Sequence, residues 1–157
     1  RTETWFGALD AFLPAVLALS GDLDRAARLM ESVHAMWAEY GVEPELFDYA
    51  TGEILYGSYI LRPEALESAY YLYRLTGDER WRDVGRDIFE RIVRCCRVEN
   101  GYAHLESVVN GEHADAMQSF FLAETLKYAW LLFADPDALD FDAVVFNTEA
   151  HPLRRSW

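Results

Sequence analysis

The chain has 157 residues, 52% of them hydrophobic and 15% aromatic, which is enough apolar material for one packed domain and too much for a disordered segment. Acidic residues outnumber basic ones 27 to 14, and the formal net charge of −13 excludes a phosphate-tracking surface, so nucleic acid is not an expected partner. The longest apolar stretch, Phe120 to Phe133, is interrupted by Glu124, Thr125 and Lys127 and falls short of the ~20 residues a membrane span needs, so no span is expected in this segment.

In chain order, Arg1-Thr-Glu-Thr-Trp5 has neither an initiator Met nor a basic-then-apolar leader and has the character of mid-protein sequence. Pro14 suits the first turn of a short helix running to Ser20, with Gly21 as its stop. From Asp22 to Tyr40, the apolar residues Ala26, Leu29, Met30, Val33, Trp37 and Tyr40 recur at helical spacing, bounded by Gly41. Val42 to Ile60 holds Pro44, two Gly and four aromatics without sustained periodicity, which predicts a loop long enough to line a site. Pro63 opens a helix closed by Thr76-Gly77, with Leu66, Ala69, Tyr70 and Tyr73 on one stripe and Glu64, Glu67, Tyr71 and Arg74 on the other face.

Asp78 begins an outer, half-exposed helix with Trp81, Val84, Ile88, Phe89, Ile92 and Val93 inward. Cys95 and Cys96 are adjacent on it, where neighbouring side chains diverge, so they are not expected to pair. Asn100-Gly101 ends this helix, and Tyr102 to Val109 with Asn110-Gly111 predicts a short extended or hairpin excursion. Ala116 to Phe133 is apolar on every face, as expected of an inner helix. After a loop from Pro136 to Asp142, Ala143 to Asn147 is the other candidate strand. The order predicts an all-α domain over 1–157 built of stacked antiparallel helix pairs, an arc of an α/α barrel or solenoid.

Three groups of residues carry possible chemistry. Glu64 and Glu67 lie three apart on one helix face, where the macrodipole favours negative charge, and they are either helix-start decoration or a carboxylate pair oriented by Arg62. Glu124 sits in the all-apolar helix, and a carboxylate buried there needs a partner, either Lys127 three residues on or a metal or ligand hydroxyl. Asn147-Thr148-Glu149-Ala150-His151-Pro152 packs oxygen and nitrogen donors into a turn, suiting a hard cation such as calcium if it is more than a loop. The carboxylates and loose aromatics together point to glycoside chemistry.

Leu61-Arg-Pro-Glu-Ala-Leu-Glu-Ser68, Ser119-Phe-Phe-Leu-Ala-Glu-Thr-Leu-Lys-Tyr128 and Phe146-Asn-Thr-Glu-Ala-His-Pro152 resemble three motifs of glycoside hydrolase family 47, the inverting α-1,2-mannosidases that trim oligomannose N-glycans. Further agreement at Phe12-Leu-Pro14, Gly41-Val-Glu-Pro-Glu45 and Gly101-Tyr102-Ala103 extends the resemblance over nearly the whole chain, while Ala15 and Gln118 depart from residues common in the family. The resemblance implies roughly the last third of an (α/α)7 barrel plugged by a short β-hairpin, the remaining N-terminal part of the barrel being its partner.

By motif position it makes Thr148 the direct calcium ligand, Glu45, Glu67, Glu124 and Glu149 holders of its waters or the sugar, and Glu64 the general base. Arg62 would orient carboxylates or hydroxyls, and Phe120 would stack on the mannose. No segment resembles the family's general-acid motif, so the fragment alone is expected to be inactive. A binding module that keeps the pocket without turnover, in the manner of a lectin, is the alternative.

The short Glu45 to Arg62 loop points to the branch of ER degradation-enhancing mannosidases or to bacterial members, and one Lys against thirteen Arg favours the latter. An exported or secretory-pathway location is implied: the ER lumen in a eukaryote, the periplasm or exterior in a bacterium.

Overall fold

A computed structural model describes residues 3–156, so Arg1 and Thr2 of the opening segment, and Trp157, lie outside the described residues. Five helices dominate: α1 (Leu13–Leu19), α2 (Leu23–Tyr40), α3 (Glu64–Thr76), α4 (Arg80–Cys96) and α5 (Leu126–Phe133). Their ends obey the expected signals. Asp22 caps α2 by accepting from the Arg25 amide at 3.2 Å, and Gly41 and Gly77 terminate α2 and α3 with φ of 85° and 67°, a region costly for side-chain-bearing residues.

The hub is α3, which packs against α1, α2, α4 and α5. Ala65, Leu66 and every residue from Ser68 to Leu72 are buried, so its second face, expected to be the polar one, is covered as well. Tyr71 lies 6.4 Å from the Tyr128 ring and 5.9 Å from that of Phe141, while Phe146 edges onto Tyr70 at 6.4 Å. Ser68 ties α3 to α1, donating to the Ala11 carbonyl at 2.6 Å and accepting from the Ala15 amide at 3.2 Å. The expected half-exposed α4 is observed, buried along Trp81, Gly85, Ile88, Ile92 and Cys96. Gly85 permits its close approach to α5, since a Cβ there would stand 2.1 Å from Leu132 Cδ2. Cys95 and Cys96 are both free, and burial pushes the Cys96 thiol up to about 12.

Three expectations change. The segment from Val42 to Ile60 is not simply a loop: Leu46–Asp48 (β2) and Glu53–Tyr56 (β3) form a hairpin, and β2 also pairs antiparallel with Trp5–Gly7 (β1), Trp5 opposite Asp48. Strands of three and four residues are too short to show alternation, and the pairing with β1 is remote in sequence.

The last helix does not start at Ala116; helical backbone begins at Ser119, and Phe121–Thr125 forms a π-helical turn before α5. Nor is it enclosed on all sides, because Leu122 and Trp130 are 58% and 59% exposed, and α3 is the inner helix.

Beyond α4, Arg97–Val98 (β4) pairs with Gly101–Tyr102 (β5), and Leu105–Ser107 (β6) with Glu112–His113 (β7), giving two small hairpins where one was expected. Val144–Phe146 (β8) is the second expected strand, and its partner Pro152–Arg154 (β9) had no signal of its own.

Candidate active site

The chain enters α3 through a strained turn. Tyr59 pairs with Leu105 by two 2.9 Å backbone hydrogen bonds, after which Leu61, fully buried, adopts φ of 68°. A bulky residue in the left-handed region costs about 1–3 kcal/mol and persists only where its surroundings dictate it. Here Thr125 Oγ1 donates to the Leu61 carbonyl at 2.7 Å.

The turn delivers Arg62 onto Glu45 as a two-pronged pair, with Nε to Oε1 at 3.0 Å and Nη2 to Oε2 at 2.9 Å. The guanidinium therefore orients Glu45 first, its remaining nitrogen standing 3.9 Å from Glu64 Oε1. Phe120 lies against the same guanidinium, 5.7 Å from Cζ to ring centroid.

Pro63 caps α3, placing Glu64 and Glu67 in its first turn, where both turn toward a cleft of about 330 Å³. Leu9, Phe12, Pro63, Glu64, Glu67, Glu124 and Thr148 line it. Burial raises the Glu64 carboxyl to about 7, Glu67 and Glu124 add to the rise, and Arg62 opposes it. Its Oε2 is buried without a hydrogen-bond partner. Glu67 is likewise raised by burial and by Glu124, against the Tyr128 hydroxyl, which donates to Oε1 at 3.0 Å.

Glu124 differs from the expectation of a fully buried carboxylate, being only partly covered among the described residues. Its pKa is still raised, by burial first and then by the charge of Glu149. Lys127 is not its ion-pair partner: the ammonium donates instead to the Ala150 carbonyl at 2.7 Å.

That carbonyl belongs to the turn joining β8 to β9. Asn147 closes the turn, its side-chain oxygen accepting from the Glu149 and His151 amides at 3.1 and 2.8 Å and its backbone carbonyl accepting from the Ala150 amide at 3.0 Å. Ala150 is fully buried at φ of 56°, and Thr148 at the tip reaches the cleft. The Glu149 side chain is 68% exposed and lies outside the cleft lining.

The structure thus brings Glu64, Glu67, Glu124 and Thr148 together and places Arg62, Glu45 and Phe120 beside them as a supporting group. Sequence reasoning missed Leu9 and Phe12 in the lining and Tyr128 as the donor to Glu67. It also missed Glu43, a buried carboxyl behind the group with neither oxygen hydrogen-bonded.

The donors around the cleft are hard oxygens suited to calcium: those of Thr148 and of three carboxyls, Glu64, Glu67 and Glu124, each raised first by burial, and one oxygen of Glu64 has no partner. Among the described residues no three His, Cys, Asp or Glu side chains converge closely enough to chelate a cation by themselves. The donor set fits a hydrated cation touched by Thr148 better than a carboxylate cage.

Comparison with known proteins identifies the family. The profile of glycosyl hydrolase family 47 matches residues 1–155. Alpha-mannosidase I MNS4 of Arabidopsis thaliana is 42% identical over 156 residues, a match covering 94% of this chain and 25% of that protein. The human ER degradation-enhancing alpha-mannosidase-like protein 3 is 40% identical over 155 residues, covering 98% and 16% respectively. The solved α-1,2-mannosidase from Trichoderma reesei superposes with a TM-score of 0.85 at 32% identity, over 98% of this chain and 40% of that one. The chain therefore spans a quarter or less of these curated relatives' length. With its helical hub, its small strand pairs and a profile match running from end to end, the chain belongs to glycosyl hydrolase family 47.

Proposed function

We propose that this chain is the base-bearing and cation-holding part of a calcium-dependent, inverting α-1,2-mannosidase that acts on oligomannose glycans, folded as the C-terminal arc of an (α/α)7 barrel. The observation that carries the reading is the convergence of Glu64, Glu67, Glu124 and Thr148, from two helices and a hairpin turn, on one cleft with Phe12 in its wall. The solved relative is named as an α-1,2-mannosidase, and another relative, 40% identical over 173 residues, is the human endoplasmic reticulum mannosyl-oligosaccharide 1,2-alpha-mannosidase.

In this reading Glu64 is the general base. A carboxyl raised to about 7 is matched to accepting a proton near neutral pH. As the oxygen of a water molecule bonds to the anomeric carbon, its proton passes to Glu64, and the bond from that carbon to the leaving oxygen breaks. The leaving oxygen takes a proton from an acid that no motif of this chain resembles, so the upstream part of the barrel supplies it. Attack by water on the face opposite the leaving group inverts the configuration.

Calcium, when bound, supplies positive charge that fixes two sugar hydroxyls and relieves the repulsion among Glu64, Glu67 and Glu124. Thr148 would hold it through its hydroxyl and carbonyl, with Glu67, Glu124 and Glu149 orienting the surrounding waters or the sugar. Arg62 and Glu45 brace the entry to α3, and Phe120, held against Arg62, offers its ring to the mannose. The names of two human relatives refer to the ER, which supports a secretory-pathway location in this reading; a bacterial source would imply export instead. No helix among the described residues is long and apolar enough to cross a membrane.

The test gives the full-length protein α-1,2-linked mannobiose with calcium and then with a chelator. Cleavage is expected to stop on chelation and to fall about 10²- to 10⁴-fold in Glu64→Gln. Cleavage that survives either treatment sinks the mechanism. Calcium-dependent mannose binding without cleavage transfers the site to a lectin-like module, which would use the same cleft without an acid.

A further inference from the structure

Among the described residues, two non-glycine residues have positive φ, Leu61 and Ala150, and they flank the two functional turns. Leu61 precedes Arg62-Pro63-Glu64, and Ala150 comes directly after Thr148-Glu149. Both are fully buried, and the carbonyl of each accepts a 2.7 Å hydrogen bond from the same short stretch of helix. Thr125 Oγ1 holds the Leu61 carbonyl, and Lys127 Nζ holds that of Ala150.

Beside this pair, Glu124 lines the cleft. Thr125 is the last residue of the π-helical turn, and a π turn inserts one extra residue, rotating the downstream helix relative to a regular one. The single lysine of the chain spends its charge on a backbone carbonyl although the Glu124 carboxylate lies three residues back.

We propose that the π-turned start of α5 is a clamp, in which Thr125 and Lys127 are positioning residues that hold the Glu64 turn and the Thr148 turn in register with each other across Glu124. Neither reaches the cleft; each acts through a strained backbone unit that has no glycine to relax it. Because the two turns hang on separate side chains, the two functions are separable. Thr125 governs the position of the base, and Lys127 governs the position of the cation-holding turn. The assignment of those functions rests on the mannosidase reading above; the clamp itself does not.

The experiment makes Thr125→Val and Lys127→Met in the full-length protein, with Thr125→Ser and Lys127→Arg as conservative rescues, and Thr125→Ala and Lys127→Gln in place of a variant that does not fold. Amide hydrogen exchange reads the clamp without any ligand. Lys127→Met is expected to speed exchange at Ala150 and His151 at least tenfold, Thr125→Val to do so at Leu61 and Arg62, and both to leave the Leu66 to Leu72 amides of α3 unchanged.

Calorimetric titration with calcium and steady-state kinetics read the division of labour. Lys127→Met is expected to weaken calcium binding at least tenfold. Thr125→Val is expected to lower kcat at least tenfold at saturating calcium, with calcium affinity held within twofold. Rescue by Ser and Arg is expected in both.

Exchange that is unchanged at both turns, or that rises uniformly through α3, overturns the clamp. Local loosening with calcium binding and kcat unmoved reduces the two residues to structural supports and overturns their positioning role. If the unaltered protein neither binds calcium nor cleaves the mannobiose, the mannosidase reading fails, and the exchange pattern alone decides the clamp.

Discussion

Replacing Glu43 by Gln tests the electrostatic account of the carboxylates around Glu64 without touching the cleft lining. Glu43 is 1% exposed, and neither carboxyl oxygen has a hydrogen-bond partner. Burial pushes its pKa well above the ordinary 4.5, and the charge of Glu64 pushes it further, while the charge of Arg62 pulls down without offsetting that rise. The folded chain thus binds a proton that the unfolded chain releases above pH 4.5.

Stability is fully present below that value and falls as pH rises toward the folded pKa, at about 1.4 kcal/mol for each pH unit over which the two states differ by one proton. Gln has the shape of the protonated acid and does not titrate. The stability of Glu43→Gln minus that of the unaltered protein should therefore grow with pH from about 4.5 upward along this slope.

Urea unfolding at half-unit intervals between about pH 4.5 and 7 reads it. With a denaturant slope of about 1–3 kcal/mol/M, each pH unit separates the two midpoints by roughly 0.5–1.4 M. Midpoint differences that stay flat across that range would refute the claim that Glu43 is held protonated.

Two further perturbations probe the frame around the cleft. Gly85→Ala places a methyl 2.1 Å from Cδ2 of the fully buried Leu132, so overpacking of about 1–3 kcal/mol should outweigh the ~1 kcal/mol helix-propensity gain and lower Tm; a raised Tm would contradict the observed α4–α5 approach. Tyr128→Phe removes the hydroxyl that donates to Glu67 at 3.0 Å, and a hydrogen bond to a charged group contributes about 1.5–3 kcal/mol. The Glu67 carboxyl, tracked by carbon-detected NMR titration, should then titrate higher than before, and an unchanged midpoint would mean that Tyr128 does not hold its charged form.

The range of the interactions that decide each feature determines how much of it was legible in the sequence. Caps and periodicity are local, so Asp22, Gly41, Pro63 and Gly77 marked the ends of α2 and α3 correctly. The sheet was illegible because Leu46–Asp48 is stabilised by partners on both sides, one of them far upstream at Trp5–Gly7, and three residues carry no detectable alternation.

At the site, four of the residues singled out by motif position, Glu64, Glu67, Glu124 and Thr148, line one cleft, and Glu149 lies outside that lining. The burial expected of Glu124 is not observed, however. Instead of being enclosed by apolar residues it faces an open cleft, and Lys127, its helical neighbour, is turned toward the Ala150 carbonyl. A helical wheel assigns both residues to adjoining positions on a regular helix, whereas the Phe121–Thr125 turn departs from that geometry just before α5 begins. Spacing rules presuppose the helix type, and here the helix changes type between the residue that faces the cleft and the residue that fixes the turn behind it.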